Sequence, residues 1–238
     1  MRLYIMQLGM NPDTGNPYPG YLIQTDDGTN ILVDTGFGPK MVETSRRPDH
    51  QGPRVTEDDL VVNQLARLGV RPENIRYLVA THFDGDHAGY LAPFTAAEIV
   101  VQRRHYDTAQ GGHPRFAGTR EQWGDPRLRY RLVDGDTTLV PGVELIETSG
   151  HVPGHQSVLV RLPKTGPVLL AIDAMARALG DHTPETRPIG SYDLEAAGTR
   201  ASTRKLVDLA ARERVALIVY GHDPDEWKKL KKAPEFYE

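Results

Sequence analysis

Three short apolar runs constrain the fold most: Tyr77–Thr81, Val168–Ile172 and Val215–Tyr220. A near-continuous apolar run of this length is what a β-strand covered on both faces requires. Each run also leads into a side chain able to bind a metal. His82 follows the first, Asp173 ends the second, and His222 stands behind Gly221 after the third. In α/β proteins the C-terminal ends of strands are where sites are built.

The rest of the chain alternates in the same way. Leu3–Met6 reads as part of a first strand. Tyr21–Ile23 and Ile31–Val33 flank Asp26-Asp27-Gly28, a hairpin turn. Phe37 to Val55 reads as a long polar loop of the kind that often serves as a lid. Thr56 is placed to cap a helix whose buried face carries Val61, Leu65 and Leu68 and which Gly69 stops. Glu98–Gln102, Val143–Glu147 and Ser157–Leu162 read as further strands, and Gly111–Pro126 as a second mobile loop. A helix is expected near Asp193–Arg212, with Leu206, Leu209 and Ala210 on one face, and a short one over Asp225–Lys232. No linker divides the chain, so residues 1–238 read as one α/β domain. Two sheets packed together with helices outside would satisfy both the strands and the amphipathic helices.

Composition removes several function classes. The 238 residues contain no Cys, which excludes a disulfide scaffold, a thiolate metal site and a Cys nucleophile. Lys and Arg total 28 against 32 Asp and Glu, a formal net charge of −4 with both signs scattered. A nucleic-acid binder would carry a clustered basic excess. No run approaches a membrane span or a secretory signal, so the expected location is cytoplasmic. Nine His are present, and composition alone gives them no purpose.

A purpose follows from their placement. Beyond Tyr77–Thr81 the chain reads His82-Phe83-Asp84-Gly85-Asp86-His87, with four metal-competent side chains in six residues. A strand end running into a Gly-containing loop lets such side chains converge. Thr148-Ser149-Gly150-His151-Val152-Pro153-Gly154-His155 lies between two strands, with glycines that allow close backbone approach. Alternatives are a polar turn with incidental histidines and a metal-stabilised scaffold without turnover.

This arrangement resembles the metallo-β-lactamase superfamily, whose usual signature is His-x-His-x-Asp-His, then a distant His, a bridging Asp and a last His. More closely, the chain is similar to the N-acyl-homoserine lactonases, the quorum-quenching branch. The matching stretches include Ile31–Gly36, Thr56–Asp59, Ile99–Arg103, Val140–Val143, Pro153–Ser157, Ile172–Ala174 and Gly221–Asp223. The resemblance implies the αββα sandwich of two central mixed sheets with helices outside. It implies two divalent metal ions. The first would take His82, Asp84 and His151; the second would take Asp86, His87 and His222; Asp173 would bridge them. It further implies a hydrolase that opens a small-molecule lactone or ester with a metal-bridging hydroxide, Asp86 being the catalytic residue that moves the proton. Zinc is the first expectation for the metal. The resemblance leaves room for a homodimer and gives no role to nucleic acid or membrane. The absence of Cys sets aside the β-lactamase subclasses that place a Cys on the second metal.

Two positions depart from the pattern. Asp84 stands where the signature has its second His, which adds one negative charge and makes iron or manganese more plausible at the first metal. Ala176 stands where the lactonases carry a Tyr that holds the lactone carbonyl. Tyr192, His182 or a Tyr of the Pro17–Tyr21 segment are the candidates to replace it. The competing readings are a phosphotriester, thioester or β-lactam hydrolase and a di-iron redox protein. Among the other residues, His155 is expected to support the site without binding metal, and Asp34 to cap a turn near it. His50, His105, His113 and His182 are expected at the surface or in loops. Trp123 is expected to line a pocket or to anchor its loop, and Arg103 and Arg104 to lie on a solvated or salt-bridged face.

Overall fold

The computed structural model describes residues 1–238. The first sheet holds six strands in sequence order: β1 (Arg2–Met10), β2 (Pro17–Gln24), β3 (Asn30–Val33), β4 (Ile75–Val79), β5 (Glu98–Gln102) and β6 (Arg129–Val133). β1, β2 and β3 run antiparallel through the expected hairpin, and β3 to β6 run parallel. The second sheet, again in sequence order, holds β7 (Thr137–Val140), β8 (Val143–Glu147), β9 (Gln156–Leu162), β10 (Gly166–Ile172) and β11 (Leu217–Tyr220). Its pairs are antiparallel except β10 with β11, which are parallel.

Alternation along the strands sorts side chains between two cores. In β1, Leu3 and Ile5 join Val79, Val100, Val158, Val168 and Val219 between the sheets. Tyr4, Met6 and Leu8 point the other way, against Val61, Leu65 and Ala109 of the outer helices. On the far side of the second sheet, Leu159, Leu169 and Ala171 pack on Leu206 and Leu209. The helices are α1 (Pro39–Ser45), α2 (Val61–Arg67), α3 (Gly85–Ala88), α4 (Arg103–Gln110), α5 (Arg120–Trp123), α6 (Ala196–Glu213) and α7 (Pro224–Trp227). The result is the αββα sandwich. No helix is long and apolar enough to cross a membrane.

Several local expectations change. Phe37–Val55 contains α1, whose Val42 packs with Phe37, Val55 and Leu60. Thr56 and Asp59 close a separate 3-10 turn, Glu57–Asp59, and α2 starts only after Leu60. Gly69, at φ +71°, ends that helix as expected. Gly111–Pro126 is ordered: a 3-10 segment, Pro114–Thr119, runs into α5 and buries Phe116 and Trp123. Trp123 is a packing anchor. Its indole N–H donates to the Phe116 carbonyl (3.0 Å) and its ring stacks on Phe83. The Pro17–Tyr21 segment is strand, and the terminal helix is one turn, capped by Asp223.

β8 and β10 each pair antiparallel with β9, and β11 runs parallel to β10. The C-terminal ends of β8, β10 and β11 therefore share one edge of the second sheet. The loops leaving that edge meet the loop leaving β4.

Candidate metal centre

The loop after β4 carries His82, fully buried, and then Asp84 at the N-terminus of α3, whose single turn presents Asp86 and His87. His151 lies in the β8–β9 loop, Asp173 directly after β10, and His222 two residues after β11. All seven side chains converge. His82, Asp84 and His151 form one group, and Asp86, His87 and His222 another; in each, the candidate ligand atoms lie within 4.8 Å of one another. Asp173 stands between them. Its Oδ2 is 3.2 Å from His151 Nε2 and 3.8 Å from His82 Nε2, and its Oδ1 is 3.0 Å from His222 Nε2.

Every histidine of the two groups is held by its Nδ1, which leaves Nε2 facing inward. His82 Nδ1 meets Thr81 Oγ1 at 3.1 Å, and His87 Nδ1 meets Asp34 Oδ2 at 2.8 Å. His151 Nδ1 meets Asp193 at 3.2 Å, and His222 Nδ1 donates to the Pro17 carbonyl at 2.8 Å. Such outer contacts fix the ring orientation and tautomer of a ligating histidine. Inside, His82 Nε2, His87 Nε2 and Asp173 Oδ1 are buried with polar neighbours 3.0–3.8 Å away but none aligned for a hydrogen bond. Buried polar atoms are almost always paired, so three orphans around one point call for a cation. Spacing agrees: ligands about 2.1 Å from a tetrahedral metal sit about 3.4 Å apart. His82 Nε2 and His151 Nε2 lie 3.2 and 3.4 Å from Asp84 Oδ2, and His87 Nε2 lies 3.4 Å from Asp86 Oδ2.

The field of the carboxylates favours positive charge. Burial works to lower the pKa of His151, but Asp173 and Asp193 outweigh it and push it up to about 9. Burial works to raise Asp173, and His222, His87 and His151 hold it well below the usual carboxylate range.

Backbone geometry aims the bridge. Ile172 adopts φ +51°, ψ −138°, an outlier for a β-branched residue that costs about 1–3 kcal/mol. It turns Asp173 off the strand and into the site. Gly221 allows this: a Cβ there would stand 2.7 Å from Asp173 Oδ1 and from the Ile172 carbonyl.

The histidines outside the ligand groups divide. His155 is buried, meets Thr148 Oγ1 at 2.8 Å, and its Nε2 accepts the Asp173 N–H at 3.3 Å, so it supports the Asp173 turn. His105 is not at the surface. It is fully buried, accepts the Phe83 N–H on Nε2 (2.9 Å) and donates from Nδ1 to the Pro153 carbonyl (2.8 Å), joining two site loops. Asp34 does more than cap a turn. Its carboxylate accepts from the Thr81 N–H, the Thr81 hydroxyl and His87. Arg103 and Arg104 pair with Asp134 and Glu195 at the surface, as expected. Sequence reading missed Asp193 and Arg115. Arg115 forms a close ion pair with Asp84. Of the candidates to replace the Tyr absent at Ala176, His182 is exposed and Tyr192 is 75% exposed. Tyr18 sits edge-on to His222, ring centroids 5.3 Å apart.

Residues 14–222 match the family model described as the metallo-beta-lactamase superfamily. The chain belongs to that superfamily. Within it, an N-acyl homoserine lactonase of a Bacillus species is 35% identical over 222 residues, 91% of this chain and 85% of the relative. One from Azorhizobium caulinodans is 36% identical over 273 residues, covering 100% of this chain and 99% of its own. Among solved structures, an N-acyl homoserine lactone hydrolase with N-hexanoyl-L-homoserine at its catalytic metal center gives a TM-score of 0.86. It is 30% identical, over 99% of this chain and 98% of its own. The superfamily fold implies divalent metal ions, and the donor set here fits them.

Proposed function

We propose that this protein is a binuclear metallohydrolase that opens the ring of N-acyl homoserine lactones. The observation that carries the reading is the pair of three-ligand groups sharing Asp173, in a chain similar over its length to lactonases. His82, Asp84 and His151 would hold one ion, Asp86, His87 and His222 the other, with Asp173 touching both. When bound, such ions supply Lewis acidity toward a carbonyl and lower the pKa of water. Zinc suits this nitrogen-rich set, and Asp84 makes iron or manganese an acceptable occupant of the first position.

The protein's own groups then have separate tasks. Asp86 Oδ2 faces the site between His87 Nε2 (3.4 Å) and His222 Nε2 (3.6 Å). There it is placed to take a proton from the attacking water and return it to the ring oxygen as the acyl C–O bond breaks. The Tyr18 hydroxyl, whose pKa burial and Asp86 raise to about 12, stays protonated and is available to donate to a substrate carbonyl. Ligands come from loops of both sheets, which supports reading residues 1–238 as one working unit.

The test is ring opening by the zinc-loaded protein of N-acyl homoserine lactones of short and long acyl chain. Acid release in a pH-stat and the mass of the ring-opened product are the readouts. Opening that disappears in Asp86→Asn with zinc retained is the expected result. A fully loaded protein that opens no lactone of any chain length overturns the proposal.

A further inference from the structure

Asp84 is the one carboxylate of the first ligand group, and it is not alone. Arg115, the second residue of the Pro114–Thr119 segment, lays its guanidinium along it. Nε donates to Oδ1 at 2.8 Å and to Oδ2 at 3.0 Å, and Nη2 donates to Oδ2 at 2.5 Å. Nη2 also reaches His151 Nε2 at 2.9 Å, while Nη1 donates to the Tyr192 carbonyl. Both side chains are mostly buried, Arg115 16% and Asp84 15% exposed. This is the two-pronged geometry that makes an Arg–carboxylate pair strong and directional.

Two consequences follow for a cation at His82, Asp84 and His151. The first is charge. Asp84, Asp86 and Asp173 bring three negative charges to the centre, and Arg115 takes one back. The second is competition. Arg115 Nη2 stands 2.9 Å from His151 Nε2, the atom a metal would take, so the guanidinium and a cation compete for the place beside it. A cation entering this position displaces Nη2 from beside His151 and leaves the Nε contact to Asp84 Oδ1 free to persist.

We propose that Arg115 is a built-in part of the first metal position. Paired with Asp84 it makes a neutral unit in place of a neutral ligand, and it sets how weakly that position holds its cation. Arg115 acts through Asp84 and His151 and is a positioning residue. The inference rests on the metal reading given above, but it makes a claim about affinity that needs no lactone.

The experiment is titration of cobalt(II) into chelator-stripped full-length protein, followed by calorimetry and visible absorption. A His222→Ala background removes a ligand of the second position and identifies the binding step of the first. Arg115→Met is expected to tighten cobalt at the first position about tenfold, since it removes both a nearby positive charge and a competitor for His151. Asp84→His alone is expected to weaken it about tenfold, because Arg115 then faces the cation without its anionic partner. The double variant is expected to bind cobalt about tenfold more tightly than the wild type, because removing an unpaired Arg115 gains more than removing a paired one, whereas additive effects would only restore wild-type affinity. A merely structural Arg115 would loosen cobalt binding when replaced. Weaker or unchanged affinity in Arg115→Met, or additive effects, overturns the inference. Should Asp84→His not fold, the wild type, Arg115→Met and the double variant decide it. Cobalt behaviour as expected without lactone opening would sink the lactonase proposal and leave this one standing. Lactone opening with unaltered cobalt affinity in Arg115→Met would do the reverse.

Discussion

The centre depends on residues that would touch no metal. Asp34 accepts three hydrogen bonds in a buried setting, from the Thr81 N–H, the Thr81 hydroxyl and His87. Asp34→Asn puts an NH2 group against donors on one side. It is expected to cost about 1–3 kcal/mol of stability and about 10- to 100-fold in metal affinity; denaturant unfolding and a metal titration check the two separately. His105 carries a different signature. Burial, with His82, lowers its pKa to about 3 against the hydrogen bond to Pro153, which favours the charged form. The unfolded chain, at about 6.5, binds that proton first. The stability His105 gives is therefore complete above about pH 6.5 and is lost as pH falls toward 3. In metal-free protein, His105→Gln should flatten the pH dependence over that window by up to one proton, about 1.4 kcal/mol per pH unit. Identical slopes in the two proteins would remove this role. The cluster itself was legible in sequence, since His82 to His87 are neighbours and Asp173 and His222 close apolar strands. Asp193 and Arg115 were not, because their contacts with His151 and Asp84 span 42 and 31 residues and leave no local pattern.

Among the elements, legibility followed apolar runs and length. The strands built on apolar runs, β1 to β5 and β8 to β11, and the 18-residue α6 were readable, whereas β6, which mixes Arg129 and Arg131 with its apolar residues, and the four-residue β7 were not picked out. Nor was Gly111–Pro126 legible. Its 3-10 segment and one-turn helix are too short to show a hydrophobic period, and their Gly and Pro content imitates a mobile loop. The order there comes from two buried rings, Phe116 and Trp123. Trp123 stacks on Phe83, which lies between His82 and Asp84, at a centroid distance of 5.5 Å and an interplanar angle of 7°. This element thus sets the floor of the metal loop and holds Arg115 in place. Trp123→Ala is expected to cost about 3–5 kcal/mol in denaturant unfolding. It should also reduce metal affinity, because Phe83 loses its packing partner. A large loss of stability with unchanged metal affinity would show that the segment supports the fold without positioning the site.

At the scale of the whole molecule, the site joins two sheets. His82, Asp84, Asp86 and His87 leave the first sheet, while His151, Asp173 and His222 leave the second. Between those loops the sheets are held by an apolar layer that does not reach the ligand edge, where carboxylates and histidines replace it. In the metal-free protein the carboxylates at that edge are answered only by Arg115 and by the facing histidines, a weaker tie between the two sets of loops than a shared cation. A cation bound by both groups opposes separation of the sheets there, so metal should stabilise the entire fold and not one loop. Ions present at about 100 times their dissociation constant add about 2.7 kcal/mol per site. For a chain of this size that is a rise in Tm of about 5–10 °C for one site. Thermal unfolding of chelator-stripped protein before and after adding back zinc measures it. Asp173→Asn should abolish most of the rise, since Asp173 alone faces both groups. A Tm unmoved by zinc in the wild type, with zinc shown to be bound, would mean that the ligand loops move independently of the sheets that carry them.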